Sequence, residues 1–337
     1  MSKTNDDGST GERPIRWGIL ATGGIARGFA TELRDIEGAV MQAVASRSAE
    51  RAEAFAAEFG VERGYGSYEE LAADPDVDIV YVASPHSHHH EHTMLCLDSG
   101  KAVLCEKAFA MSAGEARDMV EAARARKLFL MEAMWTRYLP AIRRVREWIA
   151  AGEIGEVKMV KADFGFRFPW DPEHRLLKKE LGGGALLDAG IYTSSFASMI
   201  FGEQPKRIES TAHLGSLEVD EWLAALFDYG DGRIAVIANA LRLPMRTEAF
   251  IFGTEGRIEL PFFLGAKSAK LVRTDDSEIE FTDTQAARGM HHEAEEAMRC
   301  IRSGELESPL MPLDETVAIM ETLDTMRGQW GLAYGGE

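Results

Sequence analysis

Val103-Leu-Cys-Glu-Lys-Ala108 is a short apolar run that ends in an acid–base pair, Glu106 and Lys107. It reads as a buried parallel strand. Its carboxyl end opens on the crevice where open α/β sheets bind their ligands. Working outward, Ile15-Arg-Trp-Gly-Ile-Leu20 is a strand that runs into Ala21-Thr-Gly-Gly-Ile-Ala26, and an amphipathic helix follows to about Leu33. Val40–Ala45, Val77–Ala83, Ala102–Cys105 and Leu128–Met131 read as further strands. Helices over 49–59, from Pro85 to about Ser99, and over 113–126 alternate with them. This alternation predicts a doubly wound parallel sheet, the Rossmann architecture.

After Met134 the rhythm changes. A helix over 140–150 closes near Gly152, and then come β-rich runs at 157–168, 207–213, 221–228, 233–241, 247–252, 257–260, 270–273 and 278–281. Turn signals such as Tyr229-Gly-Asp-Gly232 separate them, which predicts a largely antiparallel open sheet. A helix over 184–201 interrupts the strands, and two more, over 291–303 and 313–327, end the chain. The expected fold class is α/β: an N-terminal Rossmann domain plus a C-terminal α+β domain. The expected division is a disordered leader over 1–13, a dinucleotide-binding domain over 14–135 and a substrate-binding domain over 136–337.

The glycine turn sits between strand and helix, as a pyrophosphate cradle must, and Thr22, Gly23, Gly24 and Ile25 are its candidate contacts. Ala21 stands at the first fingerprint glycine and Ala26 at the last, so the motif alone is weak. At the end of the second strand there is no acid to bind a ribose diol; Ser46-Arg47 stands there and suits a 2′-phosphate. NADP is therefore the expected cofactor, ahead of NAD.

Pro85-His-Ser-His-His-His-Glu-His92 has the wrong order for a zinc motif, and no metal is expected. It opens a helix directly after a strand, which makes Ser84, His86 and His88 candidates for the cofactor cleft, with His88 near the nicotinamide. Glu106 and Lys107 join this set by position. Downstream, Gly182-Gly-Gly-Ala-Leu-Leu-Asp-Ala-Gly-Ile-Tyr192 opens a helix, with Asp188 and Tyr192 at i,i+4 on one face. Lys107, Asp188 and Tyr192 are the catalytic candidates. The plain alternatives are a surface ion pair, a capping Asp and a core Tyr.

A net charge of −18 argues against nucleic acid and against an anionic membrane surface as partners. No apolar run is long enough to span a bilayer, and the polar segment Met1–Glu12 lacks the core of an export signal. Three scattered cysteines read as free thiols in a reducing cytoplasm.

With these residues in hand, the chain resembles the Gfo/Idh/MocA oxidoreductase family from about residue 14 onward. The marks are the glycine turn, Glu106-Lys107 after a strand, Gly182–Tyr192, and the change from parallel to open sheet. Met131-Glu-Ala-Met-Trp-Thr-Arg137, Asp188-Ala-Gly-Ile-Tyr192 and the tail Arg299–Glu315 resemble the branch of dimeric dihydrodiol dehydrogenases and NADP-dependent D-xylose dehydrogenases. The resemblance implies NADP(H)-linked oxidation of a sugar, polyol or cyclic diol, or the reverse reduction. It also implies a homodimer or homotetramer paired through the open sheet. Trp135, Arg137, Phe164, Arg167 and His174 are the candidates for the substrate wall.

Two departures stand out. Many members have Pro after the Glu-Lys pair, often with a cis bond, where this chain has Ala108. A cis non-proline bond costs about 3 kcal/mol, which leaves open a trans peptide and a differently aimed Lys107. Many inositol-type members have His where Tyr192 stands. Two rival functions are a reductase of a nucleotide-linked keto sugar and a non-catalytic NADP-binding sensor.

Overall fold

The computed structural model describes residues 13–285 and 288–334; the segment Met1–Glu12, read above as a disordered leader, lies outside the described residues. The first sheet begins with β1 (Ile15–Leu20), and α1 (Gly24–Leu33) follows it across the glycine turn. Then come β2 (Ala39–Ala45), α2 (Ala49–Phe59), the three-residue β3 (Arg63–Tyr65) and α3 (Tyr68–Ala73). β4 (Ile79–Val82), α4 (His89–Asp98), β5 (Ala102–Glu106), α5 (Ala113–Arg126) and β6 (Leu130–Ala133) complete the unit. The strand order is β3-β2-β1-β4-β5-β6, and every pairing is parallel. β4 and β5 are buried along their whole length, as strands covered on both faces by helices must be.

The second unit starts with α6 (Pro140–Ala150), which has Pro at its first position as helix starts favour. β7 (Val157–Gly165) leads to a π-helical turn at Leu186–Gly190 and then α7 (Ile191–Phe201). Seven strands follow: β8 (Arg207–Leu214), β9 (Asp220–Gly230), β10 (Arg233–Ala240), β11 (Glu248–Gly253), β12 (Gly256–Leu260), β13 (Ser268–Arg273) and β14 (Glu278–Thr282). Their order is β14-β13-β12-β11-β7-β10-β9-β8; β7 and β10 are parallel and the other neighbours antiparallel. In β9 Leu223, Ala225, Phe227 and Tyr229 are buried while Ala224 and Leu226 are exposed, the alternation of a sheet with one covered face.

Two last helices, α8 (His291–Ser303) and α9 (Leu313–Trp330), return to the first unit. α8 packs on α1, and α9 packs on α5 and α7. The Glu32 carboxylate of α1 accepts the backbone N–H groups of Arg288, Gly289 and His291, which ties the start of α8 to the first unit. No helix among the described residues is long and apolar enough to cross a membrane.

Candidate active site

The glycine turn has the backbone that its sequence promised. Ala21 adopts the left-handed φ of 82° that a fingerprint glycine usually supplies. Gly23 caps α1 without any side-chain bond. A Cβ added at Gly23 or Gly24 would meet nothing within 4 Å. The space beside the start of α1 is therefore open, which fits a pyrophosphate at a helix N-terminus. Thr22 is half-buried, while Gly23, Gly24 and Ile25 are exposed on the same edge.

Beside this turn, Arg47 lines a cleft of about 830 Å³ with Ser67, Tyr68, His88 and His92. Arg47 is exposed there, in a cleft that also holds Glu69, Glu91 and Asp98; no acid follows directly at the strand end, where one would bind a ribose diol. Ser46 is nearly buried, and its hydroxyl accepts the Ser48 N–H at 3.4 Å. Ser84 is also buried and bonded to His92 Nδ1 at 2.9 Å.

The short turn His86–His88 sends its histidines to different places. His88 belongs to the Arg47 cleft, not to the Lys107 end as expected. His86 faces the Lys107 end instead: its Nδ1 holds the carbonyl of Gly182 at 3.0 Å. Burial, then the charges of His89, Arg175 and Lys107, push His86 down to about 3, so the ring is neutral. His89 bridges the carbonyls of Ser84 (2.8 Å) and Ala108 (2.7 Å) with its two ring nitrogens.

At the end of β5, Glu106 is only 3% exposed. It accepts the Tyr81 hydroxyl on Oε1 and the Lys107 N–H on Oε2, so it braces the strand end rather than presenting itself to a cofactor. Burial raises its pKa, against the pull of Tyr81 and Lys107. The Lys107–Ala108 peptide is cis, which settles the alternative left open by Ala108. Ala108 is fully buried and its carbonyl is fixed by His89.

The structure brings Lys107, Asp188 and Tyr192 together. Lys107 Nζ donates to the Asp188 backbone carbonyl at 2.9 Å and lies 3.5 Å from its Oδ1. The same ammonium stands 4.5 Å from the centroid of the Tyr192 ring, a cation–π distance. Burial pushes the Asp188 carboxyl up, but Lys107 and Arg175 outweigh burial and hold it well below the usual carboxylate range. Burial drives the Tyr192 phenol well above its ordinary value, so it keeps its proton at neutral pH. Trp135 Nε1 donates to the Tyr192 oxygen at 3.0 Å. The phenolic O–H is left to donate elsewhere.

Of the other wall candidates, Phe164 packs edge-on against Tyr192 with centroids 5.9 Å apart. His174 is half-buried, its ring against Phe168 at 4.4 Å. Arg167 is exposed at an isolated bridge to Arg242. Arg137 corrects the expectation. Its guanidinium is consumed by Glu315 (2.7 and 2.9 Å) and by the hydroxyl and carbonyl of Ser195 (3.0 Å each), and it is 3% exposed. It is a buried clamp between the start of the second unit and α9.

Sequence reasoning missed Arg175, whose two terminal nitrogens both reach Asp188 Oδ1 at 3.1 Å. Its segment has no periodicity, and only its place just before the glycine triplet gave a signal. The helix over 184–201 also differs: Gly184, at φ 126°, lies outside it, and its first turn, Leu186–Gly190, is π-helical.

Residues 15–134 match a family described as an oxidoreductase family with NAD-binding Rossmann fold, and residues 142–259 match a GFO/IDH/MocA C-terminal domain. A trans-1,2-dihydrobenzene-1,2-diol dehydrogenase of Xenopus laevis is 36% identical over 328 residues, 95% of this chain and 99% of that one. The chain belongs to the Gfo/Idh/MocA oxidoreductase family. A second relative in this family's range is the D-xylose 1-dehydrogenase (NADP(+)) of Hypocrea jecorina, 37% identical over 95% of this chain and 93% of its own. Among solved structures, the 3-ketoreductase KijD10 of Actinomadura kijaniata, in complex with NADP and TDP-benzene, is similar with TM-score 0.82 and 26% identity, covering 94% of this chain and 98% of that one.

Proposed function

We propose that this family member is an NADP-dependent dehydrogenase that moves a hydride between nicotinamide and a C–OH or C=O of a sugar, polyol or cyclic diol. The observation that carries the reading is the meeting of Lys107, Asp188 and Tyr192 at the end of β5, which only β4 separates from the strand that leads into the glycine turn. The diol and xylose dehydrogenases matched over nearly the full chain support the substrate class.

Thr22, Gly23, Gly24 and Ile25 would hold the pyrophosphate, and Arg47 the 2′-phosphate, in the cleft that His88 also lines. When bound, the nicotinamide supplies the hydride chemistry. The protein residues handle the proton. In reduction Tyr192, kept protonated by burial, gives its proton to the substrate oxygen and Lys107 Nζ beside its ring resupplies it; in oxidation the path runs in reverse, the hydroxyl proton passing by way of Tyr192 to the Lys107 amine. Asp188 keeps the lysine aimed and compensates its charge. General acid–base help of this kind is worth roughly 10²–10⁴-fold. Trp135, Phe164 and His174 would form the substrate wall. The open face of the eight-stranded sheet is the surface through which two or four copies would pair.

A second reading, reduction of a nucleotide-linked keto sugar, is favoured by one observation, the likeness to the 3-ketoreductase. Initial rates of NADPH formation with aldoses, inositols and a dihydrodiol test the first reading, with NAD⁺ in parallel. Turnover of one class with NADP⁺ is expected. Silence over the whole panel, with NADPH bound tightly, would overturn it in favour of the second.

A further inference from the structure

Asp220 opens β9 and is completely buried. Its Oδ2 accepts the backbone N–H of Leu186 at 2.6 Å. Leu186 is the first residue of the π turn that carries Asp188 and runs on into Tyr192. We propose that Asp220 is a positioning residue for the Lys107–Asp188–Tyr192 site. Its carboxyl pins the start of the turn, and so fixes where the carbonyl and carboxylate of Asp188 meet Lys107. The inference rests on the function proposed above.

Three features support it. The residue before the turn is Ala185, which has no side-chain oxygen, so the free amides at the turn's start need an acceptor from elsewhere. β9 supplies one in Asp220 Oδ2, which accepts the Leu186 N–H in either protonation state; burial lifts this carboxyl to about 7. Second, Gly184 makes room for it. With φ 126°, a Cβ at this position would stand 2.1 Å from Asp220 Oδ1. The glycine is thus required for the carboxyl to come as close as it does.

Third, Asp220 Oδ1 is buried with no partner among the described residues. A half-satisfied buried carboxyl weakens a fold, so stability alone does not account for an Asp here. The loop leading to the turn is held separately, by His86 Nδ1 on the Gly182 carbonyl (3.0 Å) and the Tyr334 hydroxyl on the Gly183 carbonyl (2.8 Å). Those contacts place the loop; Asp220 sets the turn itself.

The test compares wild type with D220A, D220N and G184A, measuring kcat, KM and NADPH affinity by fluorescence. D220A and G184A are expected to lose about 10²-fold in kcat, the effect of displacing a catalytic group by about 1 Å. NADPH affinity should stay within about 2-fold, because α1 and the Arg47 cleft are untouched. D220N should recover kcat to within about 5-fold, since its amide oxygen accepts the same N–H. Turnover near wild type in D220A, or in G184A if D220A does not fold, overturns the inference. Parallel loss of kcat and NADPH binding, or a D220N no better than D220A, overturns it too.

A wild type inactive on every substrate would instead count against the proposed function. Crystal structures of the variants read Asp220 without turnover: the Lys107 Nζ–Asp188 O contact, 2.9 Å here, should open in D220A and G184A and persist in D220N. Its persistence in D220A and G184A would overturn the inference.

Discussion

Lys107 Nζ meets Asp188 twice, donating to its backbone carbonyl at 2.9 Å and lying 3.5 Å from its Oδ1. The carbonyl contact sets direction and the carboxylate contact sets charge. Arg175 places two nitrogens on the same Oδ1 at 3.1 Å, so two cations share one carboxylate. Burial alone would raise Asp188; Lys107 and Arg175 reverse that and depress it. A depressed carboxyl is ionised throughout the neutral range, and its stabilising charge is lost only as pH falls through the folded value.

Replacing Arg175 by Met removes one of the two cations and lets the Asp188 pKa rise. The acid limb of kcat/KM that Asp188 sets, which lies below the measured range in wild type, should then rise toward or into it, with the alkaline limb unmoved. Profiles from about pH 4 to about pH 9 check this. An acid limb that stays in place would remove Arg175 from the electrostatics of the site.

Arg47 is the phosphate discriminator on this account. A charge-assisted hydrogen bond is worth about 1.5–3 kcal/mol, so R47A should raise KM for NADP⁺ by roughly 10–100-fold. KM for NAD⁺ should hardly change. Equal effects on both cofactors would mean that Arg47 does not touch a 2′-phosphate.

Arg137 is predicted to act on stability. Breaking a fully buried ion pair costs about 3–5 kcal/mol; Glu315 is half-buried and keeps the Ser198 hydroxyl as a donor, so a loss of roughly 2–3 kcal/mol is expected here. Denaturant unfolding of R137A should show that loss while KM of the folded fraction stays within about 2-fold. Unchanged stability with a raised KM would return Arg137 to the substrate wall.

Glu132 is buried at the middle of β6, with Oε2 accepting the Thr316 hydroxyl at 3.0 Å. Burial, opposed by Thr316 and Arg137, lifts its carboxyl from 4.5 to about 7. The folded state therefore holds the proton more tightly than the unfolded one. The resulting stability is present below the unfolded pKa and is lost as pH rises through about 7. Lifting a carboxyl this far weakens the fold by on the order of 3 kcal/mol at about pH 8. E132Q should flatten the wild-type decline between about pH 5 and about pH 8 in denaturant unfolding. An E132Q curve parallel to wild type would place the source elsewhere.

What the sequence revealed follows from where each residue stands. Lys107, Asp188 and Tyr192 sit at element boundaries marked by an apolar strand or a glycine run, and boundaries are where α/β folds place chemistry. The sheet-to-sheet change was legible because period-two alternation replaces long buried runs. Other features left no local trace. β3 is three residues, too short for any alternation. β6 lies two residues later than expected, because an apolar run from Leu128 does not reveal which part pairs with β5.

Arg137 looked like a substrate contact because Glu315, its partner, is 178 residues away in sequence. Arg175 and Asp220 act on Asp188 and its turn from aperiodic or distant segments. Only the folded chain brings them there.

The most direct test of the central claim is single-turnover hydride transfer by wild type and K107M, with NADPH affinity measured on the same preparations. K107M is expected to lose roughly 10²–10⁴-fold in the transfer step, with NADPH affinity essentially unchanged. Transfer by K107M within a few fold of wild type, on a chain that still folds and binds NADPH, would contradict it.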